Sequence, residues 1–192
     1  MPAIHSHPFA PMRGKTGDTT FQSLRIDPTS RAVQIISDAE HHIHEGHSFF
    51  FTDANDLGNG AVRDVLLVTP DTAKFAHLTF GVSSEAEINV VLYEATTTSA
   101  DGAAISELNR DRNSATVATM VATSAPTVTA VGTLLLNFLS GSGRASPTEV
   151  SFNRELILKR NTKYMFRITN ATSNANGVVL EVGWYEHTDF AA

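Results

Sequence analysis

The sequence predicts an all-β protein: an antiparallel sandwich preceded by an extended N-terminal arm. Three observations predict it. Apolar residues recur at period two in several short runs, as in strands with one buried face. Asn, Asp, Gly and Pro punctuate these runs at the spacing of a sandwich or barrel of short strands. No stretch carries a sustained 3.6-residue period. The closing segment Glu155–His187 shows the pattern best. Leu156-Ile157-Leu158 is an apolar run. Tyr164, Phe166 and Ile168 then alternate with Met165, Arg167 and Thr169. Asn174, Asn176 and Gly177 supply a turn, because Asn and Gly tolerate positive φ at low cost. Val178, Leu180, Val182 and Trp184 share one strand face, and Trp184 is expected to be buried. These three strands are expected to form a meander at the centre of the sandwich.

The bulk properties bound the rest. A chain of 192 residues suggests one domain, or one domain and an arm, and buries a real core without staples. It has no cysteine, which rules out disulfides, thiolate metal sites and cysteine nucleophiles. A net charge of −6 argues against a nonspecific nucleic-acid coat. No apolar run approaches the length of about 18 residues that a membrane span needs. The N-terminal MPAIHSHPFAPMRGK lacks an apolar signal core, so the chain is expected to remain in the cytoplasm where it is made.

Residues 1–30 read as the arm and residues 31–192 as the sandwich domain. Pro2, Pro8, Pro11 and Pro28 argue against regular elements in the arm. Its apolar residues Phe9, Phe21, Leu24 and Ile26 would suit anchors on a neighbouring subunit or on the body of the same chain, and the expectation is that the arm makes intermolecular contacts. Ala32–Ile36 is a short strand candidate. Glu40-His41-His42-Ile43-His44-Glu45-Gly46-His47 follows, leading into Phe49-Phe50-Phe51. On a strand, His42 and His44 would share a face. With Glu45 or His47 nearby they would suit a divalent transition metal. The plainer reading is a polar strand edge or subunit contact. The aromatic run is expected to be covered on both faces. Asp53–Gly60 reads as a turn-rich loop that lacks the regular acidic positions of a calcium site.

Val62–Thr69 is the next strand, closed by Pro70-Asp71. Ala76, Leu78 and Phe80 face the core on a strand expected to form a hairpin with Ile88–Glu94, whose Ile88, Val90 and Leu92 share a side. Asp101-Gly102 is a turn signal. Arg110 and Arg112, around Asp111, are read either as a solvated turn or as a cluster that docks on a partner's carboxylates, since arginine forks suit interfaces. Thr116–Val121, Thr127–Thr129 and Thr133–Leu139 read as strand, with a bend at Gly132. Ser140–Pro147 reads as a surface loop. It has neither the lysine nor the strand-to-helix setting of a phosphate loop, and no nucleophile-elbow pattern surrounds its serines.

Several motifs, taken in order, carry a resemblance. They are Glu40–Gly46, Thr69-Pro70-Asp71-Thr72, Leu92-Tyr93-Glu94 with Asp101-Gly102, and Leu108–Asn113. Pro126-Thr127-Val128, Gly132-Thr133, Gly141–Arg144, Leu158–Tyr164 and Trp184–His187 complete the set. Over about residues 40–187 the chain resembles small head proteins of tailed bacteriophages, of the decoration or cement type. The resemblance implies a jelly-roll-like sandwich on the capsid exterior that binds the major capsid protein and stabilises the head. It offers no catalytic residue to carry over; no metal or cofactor is expected, and neither nucleic acid nor membrane as partner. Self-association as a dimer or trimer is expected from the closed symmetry usual in oligomers. Two other readings are a carbohydrate-binding or fibre/tail sandwich, which would want exposed aromatics, and a cupin-like metal enzyme built on His42, His44 and His47.

Overall fold

A computed structural model of the chain describes residues 13–15, 21–23, 38–140 and 148–188. The chain divides into two units, residues 1–38 with 190–192, and residues 39–189. In the first unit, β1 (Arg13–Lys15) and β2 (Phe21–Ser23) pair antiparallel, with Gly14 opposite Gln22. Among the described residues the arm thus holds one short regular pairing, between Pro11 and Pro28 in sequence. Phe21 opens β2, whereas Phe9, Leu24, Ile26 and the strand candidate Ala32–Ile36 lie outside the described residues.

The second unit is a two-layered antiparallel sandwich preceded by helix α1 (Asp38–His44). Its strands are β3 (Ser48–Leu57), β4 (Val62–Val68), β5 (Lys74–Ser84), β6 (Ile88–Glu94), β7 (Thr97–Ala100), β8 (Ala103–Ala104) and β9 (Leu108–Asn109). They continue as β10 (Val121–Ser124), β11 (Thr127–Ala130), β12 (Thr133–Ser140), β13 (Thr148–Ile157), β14 (Lys163–Asn170) and β15 (Asn176–Thr188). One sheet has the order β12-β6-β14-β4-β10-β8 and the other β13-β5-β15-β3-β9, while β7 and β11 form a separate two-stranded ribbon.

The period-two pattern does what it predicts at the level of faces. On β15, Val178, Leu180, Val182 and Trp184 are buried in the core while Glu181 is exposed. On β5 the core face is Ala76, Leu78, Phe80 and Val82, and on β6 it is Ile88, Val90 and Leu92. Phe80 meets Phe166 of the facing sheet edge-on at 4.7 Å between ring centroids. Trp184 lies between Phe49 at 5.8 Å and Phe51 at 6.2 Å. Such offset and edge-on pairs add about 0.5–1.5 kcal/mol each beyond their buried area.

The pattern does not say which sheet a strand joins, and here the expectations need correction. β13, β14 and β15 form no meander: β14 belongs to the six-stranded sheet and the other two to the five-stranded one. β14 and β15 nevertheless lie inside their sheets, each paired on both sides. Nor do β5 and β6 form a hairpin, since they sit in different sheets. The stretch from Thr127 to Leu139 is two strands in different sheets, and the bend falls at Gly132, whose φ is +86°. The strand expected over Thr116–Val121 begins at its last residue and runs to Ser124.

Asp53–Gly60 is not a free loop, because β3 continues to Leu57. Arg63 makes this polar half of β3 part of the sandwich. Its Nε and Nη2 donate to Asp53 Oδ2 and Oδ1 at 2.8 and 2.7 Å, a two-pronged bond from one sheet to the other. This fork geometry is the strong form of ion pair. Arg167 and Asp64, directly opposite on β14 and β4, repeat it at 2.8 Å for both bonds. Among the described residues no helix is long and apolar enough to cross a membrane.

Candidate functional site

α1 is the sharpest departure from expectation. Its seven residues hold His41, His42 and His44, so these histidines stand on a helix and not on a strand. At 3.6 residues per turn, positions two apart point about 200° from each other. His42 is accordingly buried and His44 exposed. The helix ends in a Schellman motif: His47 N–H donates to His42 O at 2.9 Å and Gly46 N–H to Ile43 O at 3.0 Å. Gly46 makes this turn with φ +72°, and a side chain there would also strike Ser114 Oγ at 2.3 Å. The reversal returns His47 to the face that carries His41, His42 and Glu45.

α1 covers one end of the outer face of the five-stranded sheet. Ala39, Ile43, His77, Thr79, Glu155 and Tyr185 are among the residues lining a small cavity of about 80 Å³ there. The His42 ring stacks on Tyr185 at 4.6 Å and on His187 at 5.5 Å. His77 stacks on the same tyrosine at 4.5 Å. The Nε2 atoms of His77 and His187 are 2.7 Å apart, a distance that needs a proton between them. Glu155 closes the group, accepting from Tyr185 Oη at 2.9 Å and lying 3.3 Å from His77 Nδ1. It comes from an irregular stretch of β13 between Phe152 and Leu156, and such bulges re-aim side chains.

Sequence reasoning found the first half of this cluster and missed the second. His77 and His187 are 110 residues apart and meet because β5 pairs with β15, with Tyr185 opposite His77. The available signal was the alternation on β5: with Ala76, Leu78 and Phe80 inward, His77 has to stand on the outer face.

The two arginines do not act as one cluster. Arg112 Nη1 donates to the Asn109 carbonyl at 3.4 Å, within its own turn. Arg110 instead lies across the five-stranded sheet. A Cβ on Gly183 would stand 2.6 Å from Arg110 Nη2, so only glycine lets the guanidinium rest there. Arg110 borders a shallow groove of about 340 Å³ with Phe50, Thr79, Gly81, Ser151 and Glu181. Among the described residues no carboxylate pairs with it. A second, open trough of about 850 Å³ continues along the same face between Ala54, Asp56, Ser83, Glu85 and Val179.

The rims of the sandwich differ. Beyond β3 and β4, the segment between β6 and β12 adds β9 to one sheet and β10 and β8 to the other. At the opposite rim, β12 and β13 are the last strands of their sheets. There β12 exposes Leu134 at 53% and Leu139 at 76%, and β13 exposes Ile157. Trp184 is only 2% exposed and so cannot stack on a sugar. No family model, curated protein or solved structure matches the chain.

Proposed function

We propose that this is a virion structural protein of a tailed bacteriophage: a decoration or cement protein on the capsid exterior that binds the major capsid protein and a second or third copy of itself. The observation that carries the reading is the unequal treatment of the two rims. One rim is extended by three short strands. At the other, among the described residues, nothing pairs with the outer edge of β12, which exposes Leu134, Leu135 and Leu139. An exposed, apolar edge strand is an aggregation hazard unless something covers it. A lattice of capsid subunits supplies that cover.

We read the sandwich as a jelly roll. Leaving out the segment between β6 and β12, eight strands divide four and four between the sheets, in the orders β13-β5-β15-β3 and β12-β6-β14-β4. Two interleaved Greek keys produce this arrangement. It supports the sequence resemblance without depending on it. A rigid plate with an apolar rim and an N-terminal arm suits a clamp between neighbouring capsomers. Each contact is modest, and the second becomes intramolecular once the first has formed.

The test places a charge on the rim. Leu139→Lys with Leu134→Lys is expected to weaken co-sedimentation with undecorated capsids about tenfold or more, since a charge in a buried contact is costly. Both sites are exposed in the free protein, so the melting temperature should stay close to that of wild type. Undiminished capsid binding by the double variant would exclude this rim as the attachment surface.

A further inference from the structure

The turn that ends α1 brings three imidazoles around one carboxylate. His41 Nδ1 and His42 Nδ1 each lie 3.4 Å from Glu45 Oε2, and His47 Nδ1 lies 3.7 Å from it. One donor atom from each of His41, His42 and Glu45 falls within 4.8 Å of the other two. These separations exceed the roughly 2.7–3.2 Å of ordinary N–H···O bonds. They match the spacing of ligands on a shared ion: donors about 2.0–2.2 Å from a tetrahedral zinc stand about 3.3–3.6 Å from one another.

We propose that His41, His42 and Glu45 bind a divalent transition ion of the zinc type, with His47 as the fourth ligand. The donor set is chemically apt, because imidazole and carboxylate suit zinc and its neighbours better than calcium or magnesium. The backbone prepares it. His41 and His42 stand four and three residues before Glu45, so all three project to one side. The Schellman turn at Gly46 then delivers His47 to that side. His42 is held by its stacks on Tyr185 and His187, which His77 and Glu155 support in turn. Such an outer shell fixes the orientation of metal-ligating rings. His47 is 37% exposed in its side chain and has room to close on the ion. The ion would act as a clasp, fastening a seven-residue helix that is too short to be stable alone on the outer face of the five-stranded sheet.

The experiment uses the full chain without a histidine tag, stripped with chelator and titrated with zinc chloride alone in a calorimeter. One ion per chain is expected, with a rise in melting temperature. His41→Ala and Glu45→Gln change side chains that are 56% and 43% exposed, so the metal-free fold should survive. Each is expected to weaken zinc binding by about tenfold or more. His44→Ala, on the other side of the helix, should leave the affinity unchanged. Cobalt(II) in place of zinc should give the intense visible bands of a tetrahedral site, and these should vanish in Glu45→Gln. The proposal fails if wild-type protein takes up no zinc. It fails equally if zinc binding survives His41→Ala and Glu45→Gln intact, which would place the ion on other histidines.

Discussion

At the residue scale the most consequential side chain is Glu186, which is 1% exposed. A buried carboxylate is costly unless its lone pairs are filled. Here Thr119 N–H and Oγ1, Met120 N–H and Trp184 Nε1 all donate to it, at 2.6 to 3.1 Å. The charge is thus spread over donors from β15 itself and from the segment that leads into β10. Glutamine has the same shape, but its amide NH₂ would have to face backbone N–H groups. Glu186→Gln is therefore expected to lower stability by about 1.5–3 kcal/mol, the range for hydrogen bonds to a charged group. Urea denaturation checks it: a midpoint within error of wild type would show that the donors are met equally well by an amide. Apart from Trp184, nothing in the sequence around Glu186 announces this role, because its other donors lie 66 and 67 residues away. Burial of Trp184 was legible from period alone, whereas the carboxylate two residues on required the tertiary fold.

At the scale of elements, what the sequence displays is the face of a strand and what it conceals is the neighbour. Alternation on β5, β6, β14 and β15 marks the core side, since only one face of each meets it. The same pattern fits a meander or a chain that crosses between sheets at every turn, and this chain crosses. The polar half of β3 read as a loop because Asp53 and Asn55 look solvated until Arg63 is set opposite them. α1 escaped notice because its seven residues span too few turns to establish a period. Lysine–carboxylate pairs at the strand ends add a pH dependence. Lys159, and then the Tyr164 hydroxyl, hold Glu94 below the usual carboxylate range; Lys163, and then Thr98, do the same for Asp101. The second pair ties the β7–β11 ribbon to β14. A carboxylate whose pKa is depressed by folding stabilises the protein above its unfolded pKa. That contribution is lost as pH falls through the folded value. Stability should thus be insensitive to these groups at neutral pH and decline as pH drops past about 4. Glu94→Gln with Asp101→Asn is expected to flatten this acid limb when urea midpoints are compared from neutral to acid pH. A double variant with the wild-type slope would assign the limb to other groups.

For the whole molecule the question is what residues 1–30 contribute. Among the described residues the hydrophobic core runs from Phe49 to Trp184, a set large enough to fold without the arm. Among the described residues the arm's regular structure is one pair of three-residue strands, and an isolated two-stranded pairing is marginal in water. We propose that the arm acts by covering a surface, through its apolar residues Phe9, Phe21, Leu24 and Ile26. If the covered surface belongs to another subunit, the arm and the β12 rim form two linked contacts. Removing one then costs more than its own affinity, because the other loses its effective concentration. Deleting residues 1–30 should therefore leave the urea midpoint and its slope close to wild type, and should abolish the dimer or trimer in sedimentation together with capsid attachment. The slope matters, because it scales with the surface exposed on unfolding. An unchanged slope shows that the whole sandwich still unfolds as one body. If the shortened chain sediments and decorates capsids like the full one, the arm is dispensable and the rim alone must carry the assembly.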